Sequence, residues 1–247
     1  MFEFTLQCNK NISLLNPIYS SLKPFVQSLN GIIIKETVGC FCSVCLAVKK
    51  EHKQYMLACI LDAVSDGIIS FYKFDYLQNN ICTVVKNSVT FNAFIRSLVV
   101  FDRQTDKDII KKNLILDNKL NVDSFYCFKL KELTSRWQDV ANVVNESIPV
   151  LLKTNSLNTL TKTFLNSATS GVKELDLYLS DKNISLSLDG KDSDLCFDAS
   201  ADYIEDLLTE IISICPKKII VHGKLDKFKE LKQTLCDVFS NNIYIVK

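Results

Sequence analysis

The chain has 247 residues, of which 47% are apolar and 23% charged, and its net charge is +1. Such a chain holds one large globular domain or two small ones. The balanced charge excludes a global drive toward nucleic acid or an acidic membrane, and six glycines with four prolines exclude a long flexible linker.

Residues 1–49 read as an α/β segment. The opening Met-Phe-Glu-Phe-Thr-Leu-Gln has neither a basic n-region nor an apolar h-region, so no signal peptide is expected there. Ten cysteines without a secretory leader fit the reducing cytosol better than a disulfide scaffold. Phe2, Phe4 and Leu6 alternate with polar neighbours as on a half-buried strand. A helix follows over about Ser13 to Leu29, with Pro17 and Pro24 limiting its regularity. Asn30-Gly31 marks a turn, and Ile32 to Ile34 and Val44 to Val48 read as further strands. Cys40, Cys42 and Cys45, with His52 beyond them, form the sharpest metal candidate, because two thiolates close in sequence can share a zinc ion. No second Cys-x-x-Cys completes the set, and on a strand Cys42 and Cys45 point to opposite faces. A cysteine-rich core strand is the favoured reading, and no metal or cofactor is assigned. Cys8, Cys59, Cys82, Cys127, Cys196, Cys215 and Cys236 sit singly among apolar residues and read as small buried hydrophobes.

Residues 50–170 read as helical. The apolar window Met56 to Phe74 is broken by Asp62, Asp66 and Lys73, which argues against a membrane span. Tyr126, Leu130, Leu133, Trp137, Val140, Val144 and Ile148 recur at four- and three-residue spacing, the stripe of one long helix facing a core. Asp123 or Ser124 is expected to cap it and Pro149 to end it. A second helix is predicted over Ser156 to Ser167, with Gly171 closing the region.

Residues 171–247 return to α/β. Leu175, Leu177 and Leu179 alternate, as do Ile184, Leu186 and Leu188, giving a hairpin. Asp189-Gly-Lys-Asp-Ser-Asp194 lacks the spacing of a calcium loop and reads as a polar loop. Ile204, Leu207, Leu208 and Ile211 share one helical face, with Asp202 and Glu205 at capping-box spacing. Ile219 to Val221 is a short buried strand. Leu225, Phe228, Leu231, Leu235 and Val238 mark another helix, and Ile243 to Val246 closes the chain as a strand. Strand, helix, strand in this order predicts a right-handed parallel crossover. The whole is an α/β protein of the α+β type, two α/β ends flanking a helical middle.

Two segments together carry a family resemblance. Val122-Asp-Ser-Phe-Tyr-Cys-Phe-Lys-Leu-Lys-Glu-Leu133 is similar to the aromatic-x-x-Phe-basic-Leu-Lys helix start of the YtxC-like family, sporulation proteins of endospore-forming bacteria. Glu205-Asp-Leu-Leu208 and Pro216-Lys-Lys-Ile-Ile-Val-His222 resemble its second conserved block, in the same order and at a fitting separation. The resemblance covers residues 120–240; Leu151 to Leu160 departs from it in being richer in Asn and Thr. It implies a bacterial cytoplasmic protein connected with sporulation, and brings no catalytic residue or cofactor.

Catalysis by histidine has His52 and His222 to draw on. His222 would sit at the carboxyl end of a strand, where open α/β sheets bind ligands, but neither a nucleophile nor an orienting acid stands near it in sequence. Lys217 to Lys232 holds six lysines and no arginine, an alternative site for phosphate or nucleic acid whose ordinary explanation is a solvated helix face. No Walker loop, dinucleotide fingerprint, Gly-x-Ser-x-Gly or zinc-protease motif is present. The expectation is a non-enzymatic protein that binds an as yet unidentified protein partner.

Overall fold

The structure, a computed structural model, describes residues 1–9, 12–81, 89–154, 156–169, 171–180, 182–198, 203–223, 228–239 and 242–246. In chain order its elements are β1 (Phe2–Asn9), α1 (Ile12–Ser28), β2 (Ile32–Val38), β3 (Phe41–Val48), α2 (Lys53–Ile68), a π-helical turn (Ile69–Lys73), α3 (Phe74–Asn80), α4 (Val89–Phe101), α5 (Arg103–Asn113), β4 (Lys119–Asn121), α6 (Val122–Lys129) and α7 (Lys131–Lys153). There follow α8 (Leu157–Ser167), β5 (Glu174–Leu179), β6 (Asn183–Leu188), β7 (Lys191–Asp198), α9 (Tyr203–Ile214), β8 (Lys218–His222), α10 (Lys229–Phe239) and β9 (Ile243–Val246). The fold is α+β. The chain divides into two units, Met1–Ile81 with Gln104–Val143, and Cys82–Arg103 with Val144–Lys247. The helical middle is thus shared between them, and the strands of the two chain ends form separate sheets.

The first unit is built on the sheet β2-β3-β1-β4. β1 runs antiparallel to β3, with Phe4 opposite Leu46, and parallel to β4. Period-two alternation sends Phe2, Phe4, Leu6 and Cys8, with Cys42, Val44, Leu46 and Val48, to one buried face. Leu14, Leu15, Ile18, Leu22 and Val26 of α1 are buried as well; each such side chain contributes roughly 1.5–3 kcal/mol by leaving water. Pro17 and Pro24 lie inside α1, within the helix expected over Ser13 to Leu29. Both are exposed, so the carbonyls they leave unpaired meet solvent. β2 and β3 are joined by a two-residue turn in which Gly39, at φ 62°, takes the first central position, the type II′ pattern.

The long helix expected from Asp123 to Pro149 is two helices. Leu130, at φ −109° and ψ 32°, steps out of helical geometry between α6 and α7. The α6 cap is Asn121, whose side chain accepts from the Ser124 N–H at 2.8 Å. Asp123 accepts instead from the Asn9 N–H at 2.6 Å and from the Tyr72 hydroxyl. Pro149 does not end α7, which runs on to Lys153 with the ring exposed.

By length and composition the helical run Lys50–Asn80 would suffice to cross a bilayer. One stripe of it is buried, with Met56, Ile60, Val64 and Ile68 out of solvent, and the charges that interrupt it are paired. Asp62 meets Lys111 at 2.5 Å, Asp66 meets Lys107 at 2.9 Å, and Lys73 meets Asp106 at 2.7 Å.

Tyr72 stacks on Tyr126 at 4.1 Å between ring centroids, and Tyr126 lies 6.0 Å from Trp137. Burial holds the Tyr126 phenol up at about 12, and burial, reinforced by the bond to Asp123, raises Tyr72 further. The folded chain therefore holds these protons after the unfolded chain has released them. Their contribution to stability is complete below the ordinary phenol value of 10.0; that of Tyr126 is lost as pH rises from there through about 12, and that of Tyr72 at still higher pH. Phenolate absorbance is expected to rise in two steps on alkaline titration, the second coinciding with loss of far-ultraviolet dichroism. A single step with the fold intact would show these phenols to be accessible.

The second unit has the mixed sheet β7-β6-β5-β8-β9. β5, β8 and β9 are parallel, so the predicted crossover through α10 is present, and β5-β6-β7 is an antiparallel meander. Leu175, Leu177, Ile184, Leu186, Ile219 and Val221 form one core with Ala93 and Val100 of α4, Leu165 of α8, Leu207, Leu208, Ile211 and Ile212 of α9, and Leu231, Leu235 and Val238 of α10. Residues 191–194, expected in a polar loop, begin β7 instead. Asp189 and Gly190 make the turn before it, and Asp189 Oδ1 accepts from the Lys173 and Glu174 N–H groups. Asp202 and Leu225 lie outside the described residues; Glu205, its expected capping-box partner, accepts from Asn92 Nδ2 at 2.5 Å.

Candidate functional site

Because Leu175, Leu177, Ile219 and Val221 turn toward the helices, the residues between them turn to the opposite face of the second unit's sheet. On β5 these are Glu174, Asp176 and Tyr178; on β8 they are Lys218, Ile220 and His222; on β9 they are Tyr244 and Val246. The register sets Tyr178 beside His222 and His222 beside Val246, and sets Asp176 beside Ile220 and Ile220 beside Tyr244. Four helices supply the core on one face, while on the other Tyr178 is 43%, Tyr244 52% and Val246 46% exposed.

His222 is the centre of this face. Its Nε2 lies 2.7 Å from Asp176 Oδ1, and its ring stacks on Tyr178 with centroids 4.5 Å apart and planes 11° from parallel. An ionised carboxylate can only accept, so in this contact Nε2 is the donor. Asp176 is nearly buried, whereas His222 keeps about a third of its side chain in solvent. The backbone immediately beyond is fixed by Gly223, at φ 112°, where an added Cβ would meet the Leu179 carbonyl oxygen at 2.7 Å. One step along the strands, Lys218 Nζ lies 2.9 Å from a Glu174 oxygen and 5.1 Å from the Tyr244 ring centroid. The face thus alternates acid–base pairs with aromatic rings.

None of the described residues near His222 in sequence supplies an orienting acid, as expected; the fold brings one from β5, 46 residues earlier. Among the described residues no hydroxyl or thiol hydrogen-bonds to the imidazole. The pair can orient a histidine toward a ligand, which is one half of an acid–base arrangement; covalent catalysis would need a nucleophile hydrogen-bonded to the ring. Asp176 and Tyr178 were overlooked in the sequence; their signal was the polar half of the Leu175–Leu177–Leu179 alternation.

The other candidates are dispersed. Cys42 faces the core, and Cys45, on the opposite face of β3, accepts from Thr5 Oγ1 at 3.7 Å and donates to Glu36 at 3.8 Å. Cys40 is exposed in the hairpin turn, and His52 pairs with Glu51 at 3.4 Å. Among the described residues no group of three or more His, Cys, Asp or Glu side chains could hold a metal ion. The expectation that the single cysteines are buried holds for Cys8 and Cys215; Cys127, Cys196 and Cys236 are exposed and Cys59 is half-buried, while Cys82 lies outside the described residues. Of the C-terminal lysines, Lys218 is paired with Glu174, Lys229 and Lys232 belong to α10, and Lys224 and Lys227 lie outside the described residues. No family model matches the chain, and no curated protein or solved structure is significantly similar to it.

Proposed function

We propose that this is a sporulation-associated interaction protein of the bacterial cytoplasm, without a membrane span, which docks a protein partner on the open sheet face bearing Tyr178, His222 and Tyr244. The observation that carries the docking reading is that face itself: a sheet clad by helices on one side leaves two tyrosines and Val246 in solvent on the other. Tyrosines with an apolar body and a polar tip are the side chains that anchor protein interfaces. On β5 and β8 the acids are matched to bases, Glu174 to Lys218 and Asp176 to His222, while Asp192 and Asp198 of β7 share the face, so a partner would meet the tyrosines beside an acidic strand. The sporulation setting rests on the resemblance of residues 122–133 and 205–222 to the YtxC-like family.

The His222–Asp176 contact favours a second reading, acid–base chemistry on a small ligand at the carboxyl ends of β5 and β8. A single experiment separates the two. The gene is deleted in the native host and complemented with wild type, with Tyr178→Ser/Tyr244→Ser, or with His222→Gln. Heat-resistant spores are scored against vegetative growth. The docking reading expects normal growth, a sharp fall in spores on deletion, rescue by wild type and by His222→Gln, and failure of the double tyrosine variant at unchanged protein level. Failure of His222→Gln with rescue by the tyrosine variant would favour the acid–base reading. Unchanged spore counts on deletion would overturn the sporulation role.

A further inference from the structure

β2 is the outer strand of the first unit's sheet, paired on one side to β3. Natural edge strands are blunted by charged side chains, proline, bulges or short length, because an open row of N–H and C=O groups recruits another strand; of these devices β2 has the charges of Lys35 and Glu36. β2 has seven residues, no proline and an unbroken register from Ile32↔Ala47 to Val38↔Phe41. Ile32 and Val38 are each 66% exposed and Ile34 is 49% exposed. The pair closing a two-residue hairpin is hydrogen-bonded, so Val38, Glu36, Ile34 and Ile32 turn their backbone groups toward β3. Ile33, Lys35 and Thr37 therefore turn theirs outward.

We propose that two copies of the chain join through antiparallel pairing of β2 with β2, about a two-fold axis through Lys35, into one continuous sheet. This register is self-complementary. The outward residues meet outward residues, Ile33 with Thr37 of the second copy and Lys35 with Lys35, which forms about six backbone hydrogen bonds. Between them Ile32 meets Val38 on the open face. Carried into the neighbouring strands, the row becomes Phe41, Val38, then Ile32 and Ala47 of the second copy: apolar throughout, and repeated by the symmetry. The one like-charged pair is Lys35 with Lys35, on the other face. There each Lys35 Nζ is already drawn to Asn16 Oδ1 of its own chain at 2.7 Å and lies 5.7 Å from the Tyr19 ring centroid, away from the axis.

The test is the mass of the full chain in solution, by sedimentation velocity over a range of concentrations under reducing conditions. Wild type is expected at twice the 28.0 kDa chain mass. Lys35→Pro removes the central outward donor, and Ile32→Lys sets a charge in the apolar row at an exposed position; each is expected to shift the population to monomer with an unchanged dichroism spectrum. Should Lys35→Pro misfold, Ile32→Lys alone decides. A wild type that is monomeric throughout, including one whose β2 edge takes a strand of another protein, overturns the proposal. So does a dimer that survives Ile32→Lys.

Discussion

Lys73→Met is expected to destabilise the first unit by about 3–5 kcal/mol, the cost of breaking a buried ion pair from one side. Lys73 and Asp106 are both fully buried, with Nζ 2.7 Å from Oδ2, and Trp137 Nε1 donates to the same oxygen at 3.2 Å. A lysine reaches this place because of the π-helical turn. The buried stripe Met56, Ile60, Val64, Ile68 keeps four-residue spacing and then resumes one residue later as Ile69, Lys73, Leu77. The extra residue in the turn shifts the phase, and Lys73 falls where an apolar side chain would be expected. Methionine keeps the length and loses the charge, so the Asp106 carboxylate stays in the core without its ammonium. Adding Asp106→Leu removes that charge, and the double variant is expected to recover most of the loss, short by about 1–3 kcal/mol for the Trp137 N–H left without its acceptor. Urea unfolding followed by fluorescence reads the first unit, because the single tryptophan of the chain is Trp137. A double variant no more stable than Lys73→Met would show that Lys73 acts through packing rather than charge.

What the sequence disclosed was whatever repeats with a short period. β1, the β5–β6 hairpin, α9, α10 and β8 were legible because their apolar residues alternate or recur by threes and fours. The break at Leu130 was invisible for the same reason: Tyr126, Leu130, Leu133 and Trp137 keep helical spacing straight through a residue whose backbone leaves the helix, and no glycine or proline marks it. Pro149 misled in the other direction, since an exposed proline costs a helix a hydrogen bond that water replaces in part. β7 was hidden by its aspartates, which suit a sheet edge as well as a loop. The His222–Asp176 pair depends on the parallel register of β5 and β8, and that register is set by packing across the sheet, with nothing in either strand to announce it.

Ile211→Ala is expected to destabilise the second unit by about 2–5 kcal/mol, the loss of buried methyl groups plus the cavity left behind. Ile211 is fully buried, in one core with Leu175, Leu177, Ile219 and Val221 beneath α9. The consequence bears on function. The block from Glu205 to His222 includes Leu207 and Leu208, which are core positions, and Ile219 and Val221, which are core positions too. A variant in this block can therefore remove activity by lowering the amount of folded protein, without touching the open face. Hydrogen exchange distinguishes the two routes. In Ile211→Ala the amides of β5 and β8 are expected to exchange at least roughly 30-fold faster, since their protection is set by opening of the unit. In Tyr178→Ser/Tyr244→Ser, where both side chains are exposed, those amides are expected to keep their protection. If Ile211→Ala leaves the exchange of β8 unchanged, α9 is not part of the cooperative core. If the double tyrosine variant accelerates exchange as much as Ile211→Ala does, the open face supports the fold, and a spore defect from that variant would carry no information about a partner.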